Sequence, residues 1–132
     1  MEWGKSIGGL KAMQARADAN AKVLADWVAK SDWAAFLARN EAERSNTSMC
    51  LVIKDPAITG LSDEAQAAFA KAIVSRLDKA GAAYDIGGYR DAPTGLRIWT
   101  GSTVDTANVE ALMPWLDYAF AAEKAALAQA AA

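Results

Sequence analysis

The chain has 132 residues, 53% hydrophobic and 23% charged, with a formal net charge of -2. That length suits one domain, residues 1–132, with a substantial core, and the composition is far from the polar signature of disorder. The 14 Lys and Arg against 16 Asp and Glu create no basic field for nucleic acid, and the absence of histidine removes the usual general base, the commonest metal ligand and every imidazole triad, which argues against a self-contained hydrolase. No metal site and no catalytic residue is predicted.

No run reaches the ~18 apolar residues of a membrane span, and the first ten residues carry Glu2 and Lys5 instead of an apolar signal core. The single cysteine, Cys50, lies in the apolar run Met49 to Ile53, cannot form an internal disulfide and is expected to be a buried small hydrophobe. These features suit a cytoplasmic protein.

Along the chain, Leu10, Met13, Ala17, Leu24 and Trp27 recur at helical spacings, which predicts one long helix from Lys5 to Lys30. Trp33 to Ala38 is a short apolar run suited to a strand. Thr47 to Lys54 alternates, with Met49, Leu51 and Ile53 on one face, and Asp55-Pro56 ends it because proline has no N–H for a ladder. Ser62, followed by Asp63 and Glu64, caps a helix that presents Phe69, Ile73 and Leu77 and stops before Gly81. Tyr84 to Ile86 is read as a short strand and Leu96 to Thr100 as another. Asp105 to Ala131 is the last helix, with Pro114 marking a kink or a fresh first turn. Long helices alternating with short strands predict an open α/β or α+β sandwich, with the long helices covering one face of a small sheet.

Between the last two strand segments lies Gly87 to Gly95, which holds three of the nine glycines and is the place to look for function, since loops on a rigid scaffold commonly carry it. Arg90 sits in this loop, and Arg97 interrupts the apolar strand Leu96-Arg97-Ile98-Trp99. Planar guanidinium forks are suited to carboxylate and phosphate. On local sequence alone the plainer reading leads, with Arg90 solvated or paired with Asp91 and Arg97 on the wet face of an edge strand. Gly87-Gly88 matches no phosphate-loop fingerprint and is a turn. Arg44-Ser45-Asn46-Thr47 is a polar turn more readily than an anion site, and the five scattered tryptophans suit packing better than base stacking.

Taken together, Trp3-Gly4-Lys5-Ser6-Ile7-Gly8-Gly9-Leu10, Ala15 to Ala21, Arg44 to Ser48, Tyr84 to Pro93 and Gly95 to Trp99 resemble phosphoserine aminotransferases, pyridoxal-phosphate enzymes of the class V aminotransferase group. The resemblance covers nearly the whole chain and is nearest the alphaproteobacterial branch. It implies an α/β fold of the α+β sandwich kind, a small, mostly antiparallel sheet covered by long helices, like the C-terminal small domain of a fold-type I aminotransferase. The family moves an amino group between glutamate and 3-phosphohydroxypyruvate, giving 2-oxoglutarate and phosphoserine in serine biosynthesis. By position, Arg97 matches the arginine that holds the substrate α-carboxylate. Arg90 matches one that helps hold the phosphate, and Tyr89, where many members have histidine, is a possible phosphate contact. The residues the family places upstream, including the Schiff-base lysine, are absent, so pyridoxal phosphate is expected only in the full enzyme, a homodimer, and this chain alone is expected to bind none and to be inactive. The face meeting the missing cofactor domain is expected to leave an apolar patch around Trp3, Trp99 and the first helix. The alternative is a free-standing interaction or small-anion-binding domain without catalysis.

Overall fold

The computed structural model describes residues 2–132. Its elements in order are α1 (Glu2–Ser6), α2 (Gly9–Lys30), β1 (Ala34–Phe36), a 3-10 turn (Glu41–Glu43), β2 (Ser48–Ile53), α3 (Pro56–Thr59), α4 (Asp63–Lys79), β3 (Leu96–Trp99) and α5 (Thr106–Ala130). The strands form one antiparallel sheet in the order β1-β2-β3, as expected of the α+β class.

The predicted first helix is broken. Gly8 and Gly9 take φ values of 115° and 71°, left-handed conformations that a side chain resists, so α1 and α2 are separate helices. The buried stripe of α2 runs through Ala17, Asn20, Leu24 and Val28, while Leu10, expected on it, is 71% exposed. Tyr84 to Ile86 is no strand either. Asp85 has φ 53°, which interrupts extended backbone, and pairing beside β3 is limited to an isolated Gly87–Leu96 bridge and the bond from Arg97 N–H to the Ile86 carbonyl. Cys50, expected to be buried, is half-buried, because it faces the side of the sheet away from the main core.

Other local signals act as anticipated. Ser62 Oγ accepts from the Ala65 N–H at the start of α4, and Gly81, with φ 68°, ends it as Ala82 N–H reaches back to the Leu77 carbonyl. Asp55 both ends β2 and caps the added turn α3 by accepting from Ala57 N–H. The last helix passes through Pro114 as a single element.

Register divides the sheet into two faces. Ala34, Met49, Leu51, Leu96 and Ile98 are buried with Leu24, Ile73, Leu77 and Leu116 of the three long helices, forming one core. At one end of it Trp33 stacks on Phe120 at 4.4 Å, with Trp27 and Phe69 edge-on. Asp117 accepts from the indole N–H groups of Trp27 and Trp33 at 3.0 and 2.8 Å, so the polar ends of this cluster are satisfied. The opposite face carries Ser48, Cys50, Val52, Arg97 and Trp99, all half-buried or exposed. Trp3 and Trp99 are both exposed.

The Lys124 ammonium on α5 donates to Asp55 at 2.7 Å. That bond, opposed by partial burial and helped by Ala57 N–H, holds the Asp55 carboxyl below its ordinary 3.8. A depressed carboxyl stabilises the fold above its unfolded pKa, and the gain is lost as pH falls through the folded value. Urea midpoints are therefore expected to drop below about pH 4. Lys124→Met should remove this increment at neutral pH and flatten that part of the acid profile.

Candidate functional site

The site is built where β3 leaves the 87–95 loop. Gly95 makes the approach possible: a Cβ there would lie 1.9 Å from the Leu51 carbonyl oxygen, a backbone atom of the neighbouring strand. The loop thus enters β3 pressed against β2, with Arg97 opposite Cys50 on the partly covered face.

Arg97 lies on an edge strand, as the plainer alternative had it, but is only partly solvated and not fully satisfied. Its Nη2 donates to Asp85 Oδ2 at 3.2 Å and to the Asp85 carbonyl at 3.4 Å, and the guanidinium carbon lies 4.7 Å from the centre of the Tyr89 ring, a cation–π contact. Nε is buried without a partner, although the side chain as a whole is 21% exposed. A buried N–H left unpaired is unfavourable, which makes Nε the unsatisfied donor of this group. The group opens on a cleft of about 550 Å³ between the 82–86 segment, β3 and the start of α5, walled by Tyr84, Trp99 and Asn108 among others.

Arg90 lies elsewhere. It is exposed and makes no ion pair or side-chain hydrogen bond among the described residues, so of the two plainer alternatives it is the solvated loop residue and not the partner of Asp91. With Lys71 and Val74 of α4 it lines a second, shallower cleft of about 300 Å³, which shares no lining residue with the first. The structure therefore does not bring the two arginines into one cleft. Tyr89 sits between them, bordering the Arg90 cleft and placing its ring on Arg97.

Arg44 donates to the carbonyls of Ala38 and Arg39, and Ser45 Oγ accepts from the N–H groups of Thr47 and Ser48. This segment is the polar turn that its sequence suggested. Two residues escaped the sequence reading. Asp85 reaches Arg97 across twelve positions, and its only local sign is a residue type that tolerates positive φ. Lys71 is one of three cations on α4, and only the fold sets it on the same cleft as Arg90. Among the described residues there is no cluster of potential metal ligands, and no helix is long and apolar enough to cross a membrane.

No family model matches the chain. A curated phosphoserine aminotransferase from Methanosarcina barkeri is 41% identical over 120 residues, 91% of this chain, and one from Methanosarcina mazei is 39% identical over the same length. The chain spans about 30% of the length of these relatives, in their C-terminal portion. Among solved structures, phosphoserine aminotransferase from Bacillus circulans subsp. alkalophilus superposes with a TM-score of 0.72 at 18% identity, covering 92% of this chain and 30% of that one. A structure recording radiation damage of the Schiff base in phosphoserine aminotransferase gives 0.70 at 16% identity, covering 90% and 30%. The fold is thus that of the C-terminal domain of phosphoserine aminotransferase.

Proposed function

We propose that this chain is the substrate-clamping C-terminal domain of a phosphoserine aminotransferase, acting with a cofactor domain to interconvert 3-phosphohydroxypyruvate plus glutamate and phosphoserine plus 2-oxoglutarate. The observation that carries the reading is the 41% identity extending over 91% of the chain to a curated enzyme of that name. The geometry of Arg97 supports it, since a guanidinium with an unpaired N–H beside an open cleft suits a substrate carboxylate. Arg90 and Tyr89 are proposed for the substrate phosphate on the strength of their position in the family pattern, since the folded chain sets Arg90 in a cleft apart from Arg97, while the Tyr89 ring also lies against Arg97. The alphaproteobacterial affinity, cytoplasmic location and homodimeric assembly belong to the same proposal.

Pyridoxal phosphate supplies an electron sink to such chemistry when it is bound. The lysines here do not fit the role of holding it, which calls for a desolvated amine. Seven of the eight are exposed, and Lys124 is paired with Asp55. The cofactor is therefore assigned to residues outside this chain, and the contribution of these 132 residues is to bind and orient the anionic substrate.

The chain as it stands is expected to gain no borohydride-sensitive visible absorbance with pyridoxal phosphate and to show no turnover. Joined behind the corresponding N-terminal portion of the Methanosarcina barkeri relative, it should support growth of a serine auxotroph lacking phosphoserine aminotransferase, and Arg97→Ala should abolish that growth. A folded, cofactor-loaded chimera that fails to support growth would overturn the proposal and favour the free-standing anion-binding alternative.

A further inference from the structure

We propose that Asp85 is a resident carboxylate that occupies half of the Arg97 fork and must be displaced when a substrate carboxylate binds. The proposal rests on the reading of Arg97 as a carboxylate clamp. A guanidinium offers a carboxylate two parallel N–H groups, and one such edge is formed by Nε and Nη2. Asp85 takes Nη2 alone, at 3.2 Å, and leaves Nε on the same edge buried and without a partner. A bidentate carboxylate on this edge would use both positions and so compete with Asp85 for Nη2.

Asp85 is suited to leaving. Its side chain is 91% exposed, so the ion pair is of the solvent-screened kind that contributes little and is readily exchanged for water. It stands at φ 53° in the 84–87 segment, whose backbone is tied to β3 by the Gly87–Leu96 bridge, the Arg97 N–H bond to Ile86 and a long 3.4 Å bond from Arg97 Nη2 to the Asp85 carbonyl. Tyr89, with its ring against the guanidinium, keeps Arg97 in place when the carboxylate partner changes. Asp85 is thus a positioning residue, holding Arg97 at the wall of the cleft between turnovers at the expense of apparent affinity.

The test uses the chain itself, labelled with ¹⁵N, with the Arg97 Nε–H resonance assigned by its loss in Arg97→Lys. Sodium acetate is titrated against sodium chloride at matched ionic strength. The wild type should show a saturable acetate shift that chloride does not produce. Asp85→Asn, which tolerates positive φ, should bind acetate roughly two- to fivefold more tightly, the range set by an exposed ion pair. Asp85→Glu should stay near the wild type, and the thermal midpoint should not move with affinity, as it would if Asp85 were merely structural. Should Asp85→Asn fail to fold, Asp85→Gly carries the same expectation. Acetate binding unchanged or weaker in the folded Asp85 variant, with the wild type still responding, removes the displaceable carboxylate and leaves the clamp intact. If no variant responds to acetate, the clamp reading fails and the proposal fails with it.

Discussion

Asn20→Asp is expected to be among the most destabilising single substitutions in this fold. Asn20 is fully buried on α2, where its amide nitrogen donates towards the carbonyls of Thr100, Gly101 and Val104 at 3.3, 3.2 and 2.9 Å while its oxygen accepts from Thr106 Oγ1. These bonds fasten the turn between β3 and α5, the segment that also carries one wall of the Arg97 cleft. Aspartate has the same shape but turns the donor end into an oxygen facing three carbonyls. A buried charge left without its partner costs about 3–5 kcal/mol. The introduced carboxyl has a raised folded pKa, so the charge penalty is absent below the unfolded value of about 3.9 and grows as pH rises from there towards the folded value. Urea denaturation at neutral and acidic pH checks this: the deficit against wild type should be large at pH 7 and should narrow on acidification. A deficit independent of pH would place the loss in packing instead.

Asn20 also marks the limit of what the sequence makes legible. The strand Ser48–Ile53 and the helix Asp63–Lys79 could be read because each carries its own complete set of local signals: alternation closed by Pro56, and a capped, four-spaced apolar stripe closed by Gly81. The same logic misjudged the first helix. Its apolar period continues through Gly8-Gly9, and periodicity does not register two glycines that adopt left-handed backbone. Trp115 and Tyr118, half a turn from the buried Met113 and Leu116, remain on the surface for a related reason: α5 is apolar on more than one side, and only packing decides which side is covered. For the site, Arg97 announced itself as a charge inside an apolar strand, whereas Asp85 and Lys71 did not. Their meaning comes from partners that the chain brings back over long separations, and no local pattern encodes that return.

The most specific functional expectation concerns the two arginines in the complete enzyme. Arg97→Lys keeps the charge but removes the planar fork, so one ammonium must replace the Nε and Nη2 edge and the stacking on Tyr89. Every amino-acid and keto-acid substrate of the proposed reaction carries an α-carboxylate, so kcat/KM should fall for glutamate, phosphoserine, 2-oxoglutarate and 3-phosphohydroxypyruvate alike. A hydrogen bond to a charged group is worth about 1.5–3 kcal/mol, which converts to a roughly ten- to hundredfold loss. Arg90→Lys should behave differently, because Arg90 faces the separate cleft with Lys71 and does not meet the carboxylate clamp. Phosphoserine and its keto acid should lose more than glutamate and 2-oxoglutarate, since a dianionic phosphate draws more from a bidentate donor than a γ-carboxylate does. Measuring kcat/KM for all four substrates in both variants separates the two roles. Equal proportional losses in Arg90→Lys would remove the phosphate from that cleft, whereas a loss confined to phosphorylated substrates in Arg97→Lys would mean that the clamp had been assigned to the wrong anion.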